Sequence, residues 1–295
     1  MKSGIVIINK GQSLTSQGVV NRVKRLFGAD KAGHTGTLDP MATGVLPVLI
    51  GRAVKASEFM LSSQKKYLAE LTLGKTSDTE DIWGALTETG APIPSKDEVL
   101  SVLDRFRGEI LQTPPMYSAL KVGGKKLCDL AREGKQIERT PRPITVYRLD
   151  GERINDTTYR LLVDCSKGTY IRTLCADIGE ALGVGGVMSA LCRREASGFS
   201  LAEAHTLEEI EQMSEDERSA LILPVERIFE KHPIVTLAPF FEHLGRSGCE
   251  LYQTKLGTSF PLGTLVRLYG ADGFFALGEV REYEGATAIK PIRQF

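Results

Sequence analysis

The most informative stretch of the sequence is Gly33-His34-Thr35-Gly36-Thr37-Leu38-Asp39-Pro40-Met41-Ala42-Thr43-Gly44. Its glycines allow tight backbone paths and the close approach of a ligand. Pro40 restricts the preceding residue to an extended conformation, which limits the directions in which Asp39 can point. A carboxylate on such a stiffened loop suits nucleophilic or base catalysis. The same pattern also fits an Asp-Pro turn in a purely structural loop, so the residues alone leave both interpretations open.

The segments around this loop mix strand and helix patterns. The apolar run 5–8 predicts a buried strand, and the apolar spacing from Val19 to Phe27 predicts a helix that Ser16 caps and Gly28 ends. Capping boxes at Ser95-x-x-Glu98 and Thr206-x-x-Glu209 predict the starts of two more helices. Further strands are predicted at 45–50, 67–73, 144–149, 159–165 and 187–192, and further helices at 126–132 and 171–182.

These elements do not alternate regularly as βαβ units, which indicates an α+β fold with a mainly antiparallel sheet. Residues 113–143 carry several prolines and paired glycines, and we interpret them as an insertion that leaves the core. After about Lys231 short runs of β-forming residues alternate with turns, which predicts a small β-rich domain. We place the boundary between Pro224 and Pro233 and divide the chain into domains 1–230 and 231–295.

Composition limits the class of protein. The 295 residues are 42% hydrophobic and 25% charged, as in ordinary globular proteins, and no apolar stretch is long enough to span a membrane. The five cysteines form no C-x-x-C pair, so we expect neither a disulfide framework nor a zinc site, and we expect a reducing cytoplasm.

The net charge of zero hides a strong segregation of charge. Residues 121–148 contain eight basic and three acidic side chains, whereas residues 201–230 contain nine acidic and two basic ones. A neutral protein with this distribution can still present a basic surface to nucleic acid. Solvated helix faces would give the same counts, so charge alone does not separate the two interpretations.

Several motifs beyond the Asp39 stretch occur in an order that resembles one family. They are Lys66-Tyr67, Pro114-Pro115-x-Tyr117-Ser118-Ala119-Leu120-Lys121, Ala131-Arg132-Glu133-Gly134, Cys165-Ser166-Lys167-Gly168-Thr169-Tyr170-Ile171-Arg172 and Leu191-Cys192-Arg193-Arg194. Over about residues 4–200 the chain resembles the TruB family of bacterial tRNA pseudouridine-55 synthases. The resemblance implies a pseudouridine synthase catalytic domain that isomerises a flipped-out uridine in the T-arm loop of tRNA.

The resemblance also implies roles for individual residues. Asp39 is the expected catalytic carboxylate, Arg172 the guanidinium that keeps it ionised, and Tyr67 the ring that stacks on the extruded uracil. The sequence does not decide whether Asp39 attacks C6 of the base, attacks C1′ of the sugar, or helps to remove the 2′ proton. Tyr170 and Leu191 are expected in the pocket wall, and His34 is expected to fill the gap left by the flipped nucleotide.

Further expectations concern RNA contacts and partners. Candidate phosphate contacts are Lys10, Lys121, Lys125, Lys126 and Arg132. The C-terminal domain resembles the small β-barrel RNA-binding modules called PUA domains and is a candidate for the acceptor end of tRNA. The chain has Lys10-Gly11 where the family has Lys-Pro, and Cys128 where it has Tyr, so contacts of these segments with RNA are expected to differ.

The reaction moves no electrons and transfers no phosphate, so neither a cofactor nor a metal is expected. We expect a monomer that needs no protein partner. Two alternatives stay open: a tRNA-binding or folding factor without chemistry, and an aspartate-dependent hydrolase whose glycine-rich loop cradles phosphate. The first has no use for an ionised Asp39, and the second lacks the lysine and hydroxyl pair of a P-loop.

Overall fold

A computed structural model describes residues 2–60 and 64–295 of the chain. The strands in chain order are β1 Gly4–Lys10, β2 Ala32–His34, β3 Thr43–Ile50, β4 Lys65–Leu73, β5 Lys75–Ser77, β6 Leu86–Glu88, β7 Gly108–Gln112, β8 Lys121–Val122, β9 Lys125–Lys126, β10 Arg142–Arg153, β11 Thr158–Cys165, β12 Gly186–Ala196, β13 Phe199–Ser200, β14 Ile234–Thr236, β15 Leu251–Tyr252, β16 Leu265–Gly270, β17 Gly273–Tyr283 and β18 Ala286–Gln294.

Helices lie between these strands. The α-helices are α1 Ser16–Leu26, α2 Ser57–Met60, α3 Lys96–Val102, α4 Leu127–Arg132, α5 Ile171–Ala181, α6 Leu207–Gln212, α7 Glu215–Ala220, α8 Pro239–Arg246 and α9 Gln253–Leu256. Short 3-10 helices occupy Gly51–Ala56, Leu103–Phe106, Leu201–Glu203 and Val225–Phe229.

The large sheet has the strand order β1-β3-β12-β4-β11-β10-β7, with β2 added to β3 and β13 added to β12. Its pairings are antiparallel except that β12 runs parallel to β3 where Cys192 and Arg193 lie beside Thr43 and Gly44. The predicted α+β fold with a mainly antiparallel sheet is therefore confirmed. The parallel contact matters for the site, because it places the end of the Asp39 stretch against β12.

One hydrophobic core fills the space between this sheet and two helices. The strand β4 runs between β12 and β11, and alternate residues along it are buried. The apolar stripe of α1 and that of α5 bury against the same core. Both helices are therefore fixed relative to the sheet, and the loops that precede them are fixed with them.

Between β7 and β10 the chain leaves the large sheet. Strands β8 and β9 form a two-residue hairpin through Gly123 and Gly124, and α4 follows directly. Both glycines have positive φ, which the tight hairpin turn requires. The chain returns to the sheet at Arg142, where β10 pairs with β7.

A second sheet lies at the C-terminal end, with the strand order β14-β16-β17-β18-β15. It curls into half of a barrel and has its own small core, centred on Val266, Leu268 and Val280. Helix α8 packs over this core through Phe241 and Leu244. The expected small barrel is thus present in open form, with β14 and β15 as its edges.

The predicted helix starts are mostly confirmed. Both capping boxes form, at Ser95 with Glu98 and at Thr206 with Glu209. The prediction that Ser16 caps α1 is wrong, because Thr15 accepts the capping hydrogen bond from the backbone N–H of Gly18. Ser16 is buried instead, and its hydroxyl serves a different segment.

All five cysteines are free thiols. Within residues 2–60 and 64–295, no helix combines the length and the apolar character that a membrane crossing requires. The same residues contain no cluster of three or more His, Cys, Asp or Glu side chains arranged to hold a metal ion.

Candidate active site

Asp39 lies on the segment 35–42 between β2 and β3, which we call the Asp39 loop. One side of this loop is tied to α1. The Ser16 hydroxyl accepts a hydrogen bond from the Leu38 backbone N–H at 2.8 Å and donates one to the Leu38 carbonyl at 2.9 Å. Both backbone groups of the residue before Asp39 are therefore satisfied by one buried side chain, which fixes the loop.

The other side of the Asp39 loop is tied to β12 through Arg193, which is almost fully buried. Its guanidinium donates to the carbonyl of Val45 at 2.8 Å, to that of Gly36 at 3.1 Å and to that of Thr37 at 3.5 Å. At Gly44, a Cβ atom would lie 2.3 Å from the Arg193 carbonyl oxygen, so only glycine permits this close approach. The loop is thus clamped between helix and sheet.

Asp39 and Arg172 form the central ion pair of the site. The Arg172 Nε donates to one carboxylate oxygen of Asp39 at 2.9 Å, and Nη2 donates to the other at 3.4 Å. The remaining guanidinium N–H groups donate to the carbonyls of Thr79 at 2.9 Å and Tyr117 at 2.8 Å. This two-pronged geometry orients the carboxylate as well as stabilising its charge.

Asp39 and Arg172 differ in solvent exposure, and the carboxylate is the more exposed of the two groups. The Arg172 side chain is 6% exposed, whereas that of Asp39 is 36% exposed. Arg172 sits in the first turn of α5, where Gln112 hydrogen-bonds both backbone groups of Tyr170. The carboxylate therefore reaches solvent from a rigid base, as a reacting group requires.

A cavity of about 790 Å³ opens in front of Asp39. Its size lies in the range that small-molecule ligands occupy. The predicted site residues that line it are His34, Asp39, Tyr67, Arg132, Tyr170, Arg172 and Leu191. The fold thus brings together seven side chains from five separate stretches of the sequence.

Tyr67 lies on β4 directly beside Arg193 of β12 and is buried. Burial raises the pKa of its hydroxyl, and the positive charge of Arg193 acts against that rise. Burial likewise raises the pKa of Tyr170. Both phenols are consequently neutral at physiological pH and can donate hydrogen bonds.

His34 ends β2, and its Nδ1 accepts a hydrogen bond from the backbone N–H of Gly36 at 3.3 Å. Burial lowers the pKa of the imidazole, and the charge of Arg193 lowers it further. The ring is therefore neutral at physiological pH. An uncharged, partly buried ring suits contact with bases more than contact with phosphates.

Lys10 requires a correction, because we expected it to contact phosphate. It is 0% exposed, and its ammonium donates to the carbonyls of Gly11 at 2.9 Å, Leu14 at 2.8 Å and Pro40 at 3.3 Å. Burial lowers its pKa to about 8. Lys10 thus holds the residue that follows Asp39, and its fully covered amine leaves no surface for a phosphate.

Lys121 and Arg132 lie on the insertion, the segment between β7 and β10 that leaves the large sheet. Lys121 is exposed and lies outside the cavity lining, opposite Lys126 in the β8–β9 hairpin. The Arg132 side chain is 71% exposed and forms an ion pair with Asp129 at 3.4 Å. Arg132 and Lys126 line the cavity, so the basic insertion forms part of the cavity wall.

Sequence reasoning gave no role to three residues that shape the site. Arg193 belongs to the motif Leu191-Cys192-Arg193-Arg194, but nothing in the sequence indicates that it clamps the Asp39 loop. Asp81 approaches Arg172 to 3.9 Å and is nearly buried. Lys65 lines the cavity, and burial lowers its pKa. The only sequence signal was their position within or beside conspicuous polar runs.

Models of known protein families match most of the chain. Residues 24–171 match the model described as TruB family pseudouridylate synthase (N terminal domain), and residues 172–230 match the tRNA pseudouridylate synthase B C-terminal domain. The chain is 43% identical over 293 residues to the tRNA pseudouridine synthase B of Methylobacillus flagellatus, covering 99% of this chain and 95% of that protein. It is 43% identical over 280 residues to the enzyme of the same name from Francisella philomiragia, covering 94% and 91% of the two chains.

Solved structures show the same fold at lower sequence identity. A crystal structure of a Cbf5-Nop10-Gar1 complex contains a chain with 27% identity and a TM-score of 0.74, covering 99% of this chain and 85% of that one. An H/ACA RNP bound to a substrate RNA containing 2′-deoxyuridine contains a chain with 25% identity and a TM-score of 0.72, covering 99% and 84%.

Proposed function

We propose that this chain, which belongs to the TruB family of tRNA pseudouridine synthases, isomerises uridine 55 in the T-arm loop of tRNA. Family membership makes the chain an isomerase that converts uridine in tRNA to pseudouridine. The target position and the roles of the residues below are our proposals. The target uridine is stacked inside folded RNA, so it must leave the stack to enter the cavity.

One observation carries the proposal: the Asp39 carboxylate, held by Arg172 on two oxygens, faces the same cavity as the Tyr67 ring. A nucleoside that enters the cavity displaces water and would favour the neutral form of a carboxyl group. The Arg172 guanidinium, which donates to both carboxylate oxygens, opposes this effect. Tyr67 supplies an aromatic surface for the uracil, with Tyr170 and Leu191 completing the wall.

In the reaction the N1–C1′ bond breaks, the uracil turns, and C5 bonds to C1′. The proton that leaves C5 is balanced by the proton that N1 carries in the product. Asp39 can act by attack on C6, by attack on C1′, or by removal of the 2′ proton. Each of these roles needs a carboxylate on a fixed loop, and the hydrogen bonds that hold the Asp39 loop and the Asp39 side chain support this assignment.

Asp39→Asn tests the catalytic assignment. We expect the amide to keep the size of the side chain and leave tRNA affinity nearly intact, while pseudouridine at position 55 disappears. The measurement is pseudouridine mapping of tRNA from cells that lack the enzyme and carry either variant, together with binding by labelled tRNA. Asp150→Asn, at a half-exposed site on β10 where Asp150 pairs with Arg148, is the control for the loss of one negative charge.

Appreciable turnover by Asp39→Asn would remove Asp39 as the catalyst. Loss of pseudouridine elsewhere in tRNA with position 55 unaffected would contradict the proposed target. A chain that binds tRNA but makes no pseudouridine even as wild type would be the folding factor that we considered as the alternative.

The basic insertion between β7 and β10 is the proposed phosphate-binding surface. Lys121 and Lys126 pair directly across β8 and β9, and Val122 and Lys125 form the next pair. Like charges opposite each other destabilise an antiparallel pair, and an anionic backbone would offset that repulsion. We propose that Lys121, Lys125, Lys126 and Arg132 contact phosphates on either side of the extruded uridine.

This surface predicts a steep fall of tRNA affinity with salt, because neutralised phosphates release counterions. Lys121→Gln should reduce the slope of log K against log salt by about 1. Lys96→Gln, at the exposed start of α3, is the matched control and should leave the slope unchanged. An unchanged slope in Lys121→Gln would contradict the assignment of this lysine.

We propose that residues 231–295 form a PUA-like domain that contacts the acceptor end of tRNA. Support comes from the separate core of the curled sheet and from Phe240, which is largely exposed on α8. We further propose that the enzyme acts in the cytoplasm as a monomer without a protein partner. Equilibrium sedimentation of the purified chain, alone and with tRNA, tests the oligomeric state.

A further inference from the structure

The chain contains a single tryptophan, Trp83, which lies on the turn between β5 and β6. Trp83 lines the rim of the cavity and is 51% exposed. Among the described residues, its indole pairs with no aromatic ring and lies against no cationic group. Half of this large aromatic surface is thus open to a ligand in the cavity, and covering it would be favourable.

The turn that carries Trp83 is rigidly anchored. The Trp83 backbone N–H donates to the Asp81 carboxylate at 3.0 Å, and the Ile82 N–H donates to the Met188 carbonyl on β12 at 3.1 Å. The Asp78 carboxylate accepts from the Ala85 N–H at 2.7 Å. The backbone at Trp83 is therefore held in place before any ligand arrives, which lowers the ordering entropy that binding costs.

Gly84 explains how this turn stays tight. A Cβ atom at Gly84 would lie 2.3 Å from Asp78 Oδ1 and 2.3 Å from Thr79 Oγ1. The absence of a side chain lets the turn close on its own polar groups directly after Trp83. The fold thus directs a bulky aromatic residue outward from a turn that its neighbours hold closed.

The same turn is connected to the catalytic pair. Asp81 accepts from Trp83 through Oδ1, and its Oδ2 lies 3.9 Å from Arg172 Nε. Arg172 in turn holds Asp39. Trp83 and Asp39 are therefore positioned by one polar network, at the rim and the interior of one cavity.

We propose that Trp83 is a stacking platform for an unpaired RNA base next to the target uridine, an assignment that rests on the proposed function. Tyr67 in the interior takes the uracil, so the rim is left for a neighbouring base. Lys126 and Arg132 line the same cavity and supply charge for the connecting phosphates. Unpaired RNA bases are commonly recognised by stacking on aromatic rings next to basic residues.

The sole tryptophan provides a direct test by its own fluorescence. We titrate Asp39→Asn enzyme with a T-arm hairpin RNA and follow Trp83 emission and the anisotropy of labelled RNA in parallel. The expected result is saturable quenching that follows the binding curve. Emission that stays constant while anisotropy reports binding overturns the stacking assignment alone, whereas absence of binding by wild-type enzyme contradicts the proposed function itself.

Hairpins with an abasic residue immediately 5′ or 3′ of the target uridine identify the base. One of the two should restore most of the emission. If neither does, the quenching does not come from a neighbouring base and the proposal fails. These RNAs leave the enzyme unchanged, so the result does not depend on the folding of a variant.

Variants provide an independent measurement. Trp83→Ala should weaken hairpin affinity about 5- to 150-fold, as the loss of one stacked base predicts, and Trp83→Phe should recover most of the affinity. Tyr147→Ala is the matched control, since Tyr147 is 53% exposed on β10 and lies outside the cavity lining. Unchanged affinity in a folded Trp83→Ala variant, or an equal loss in Tyr147→Ala, overturns the proposal.

Discussion

At the scale of single residues, the site is organised by two arginines with different partners. Arg172 donates to both carboxylate oxygens of Asp39, whereas Arg193 donates to backbone carbonyls of the Asp39 loop and of β3 and also hydrogen-bonds the side chain of Tyr67. A guanidinium can do either because it offers several donors in a fixed plane. The first arginine therefore sets the charge of the site, and the second sets the path of the loop.

Tyr67→Phe removes the hydroxyl of Tyr67 and keeps its aromatic ring, so it tests the two groups separately. We expect RNA affinity to stay, because the stacking face is retained, and kcat to fall about 10²- to 10⁴-fold if the hydroxyl takes part in proton transfer. Because burial raises the pKa of this phenol, the hydroxyl enters the reaction protonated. Single-turnover rates with saturating enzyme measure the effect.

Tyr159→Phe is the matched control for that experiment. Tyr159 is a fully buried strand tyrosine whose hydroxyl has no hydrogen-bond partner in the described part of the chain. Its removal should leave both rate and affinity unchanged. Wild-type rates in Tyr67→Phe would restrict Tyr67 to packing and stacking.

At the scale of elements, α1 and the Asp39 loop are joined by one hydroxyl. Ser16→Ala should leave the Leu38 N–H and carbonyl buried without partners, at a cost of about 1–3 kcal/mol in the free energy of unfolding. Because the loop carries Asp39, kcat should fall as well. Denaturant unfolding and steady-state rates measure the two effects.

Ser95→Ala provides the comparison, because it removes the cap of α3 at an exposed site and should cost about 1 kcal/mol. Its kcat should match wild type. If Ser16→Ala also keeps the wild-type kcat at temperatures where it is folded, the tie between α1 and the loop serves stability only.

The same elements show what sequence reasoning could reach. Ser95 and Thr206 were identified correctly as caps because their partners lie three residues away, within reach of a local pattern. Ser16 and Lys10 were misassigned because their partners, Leu38 and Pro40, are distant in sequence. From local sequence alone, Ser16 fits a helix cap and Lys10 fits a phosphate contact. In the folded chain both side chains are buried and hydrogen-bond the Asp39 loop instead.

At the scale of the whole molecule, the two sheets meet in a third hydrophobic cluster. Phe229 is buried there with Ala56, which ends the 3-10 helix after β3, and with Leu277 of β17 in the C-terminal sheet. Its ring centroid lies 5.3 Å from that of Phe59 and 5.5 Å from that of Phe295. Individual strands could be predicted from local patterns, but the order of the strands in each sheet was not predicted. This joint between the sheets could not be predicted either, because its members share no motif.

Phe229→Ala tests whether the joint matters for binding. Truncation of a buried phenylalanine costs about 3–5 kcal/mol in the free energy of unfolding, and here the loss should loosen the C-terminal sheet from the first. If residues 231–295 contact the acceptor end, affinity for full tRNA should fall while affinity for an isolated T-arm hairpin stays. Phe199→Ala is the matched control, since Phe199 is buried in a different hydrophobic cluster with Ile5 and Val45. This variant should lower the free energy of unfolding but should not change the affinity for full tRNA relative to the affinity for the hairpin. Equal losses for tRNA and hairpin in Phe229→Ala would show that the C-terminal sheet contributes stability and no RNA contact.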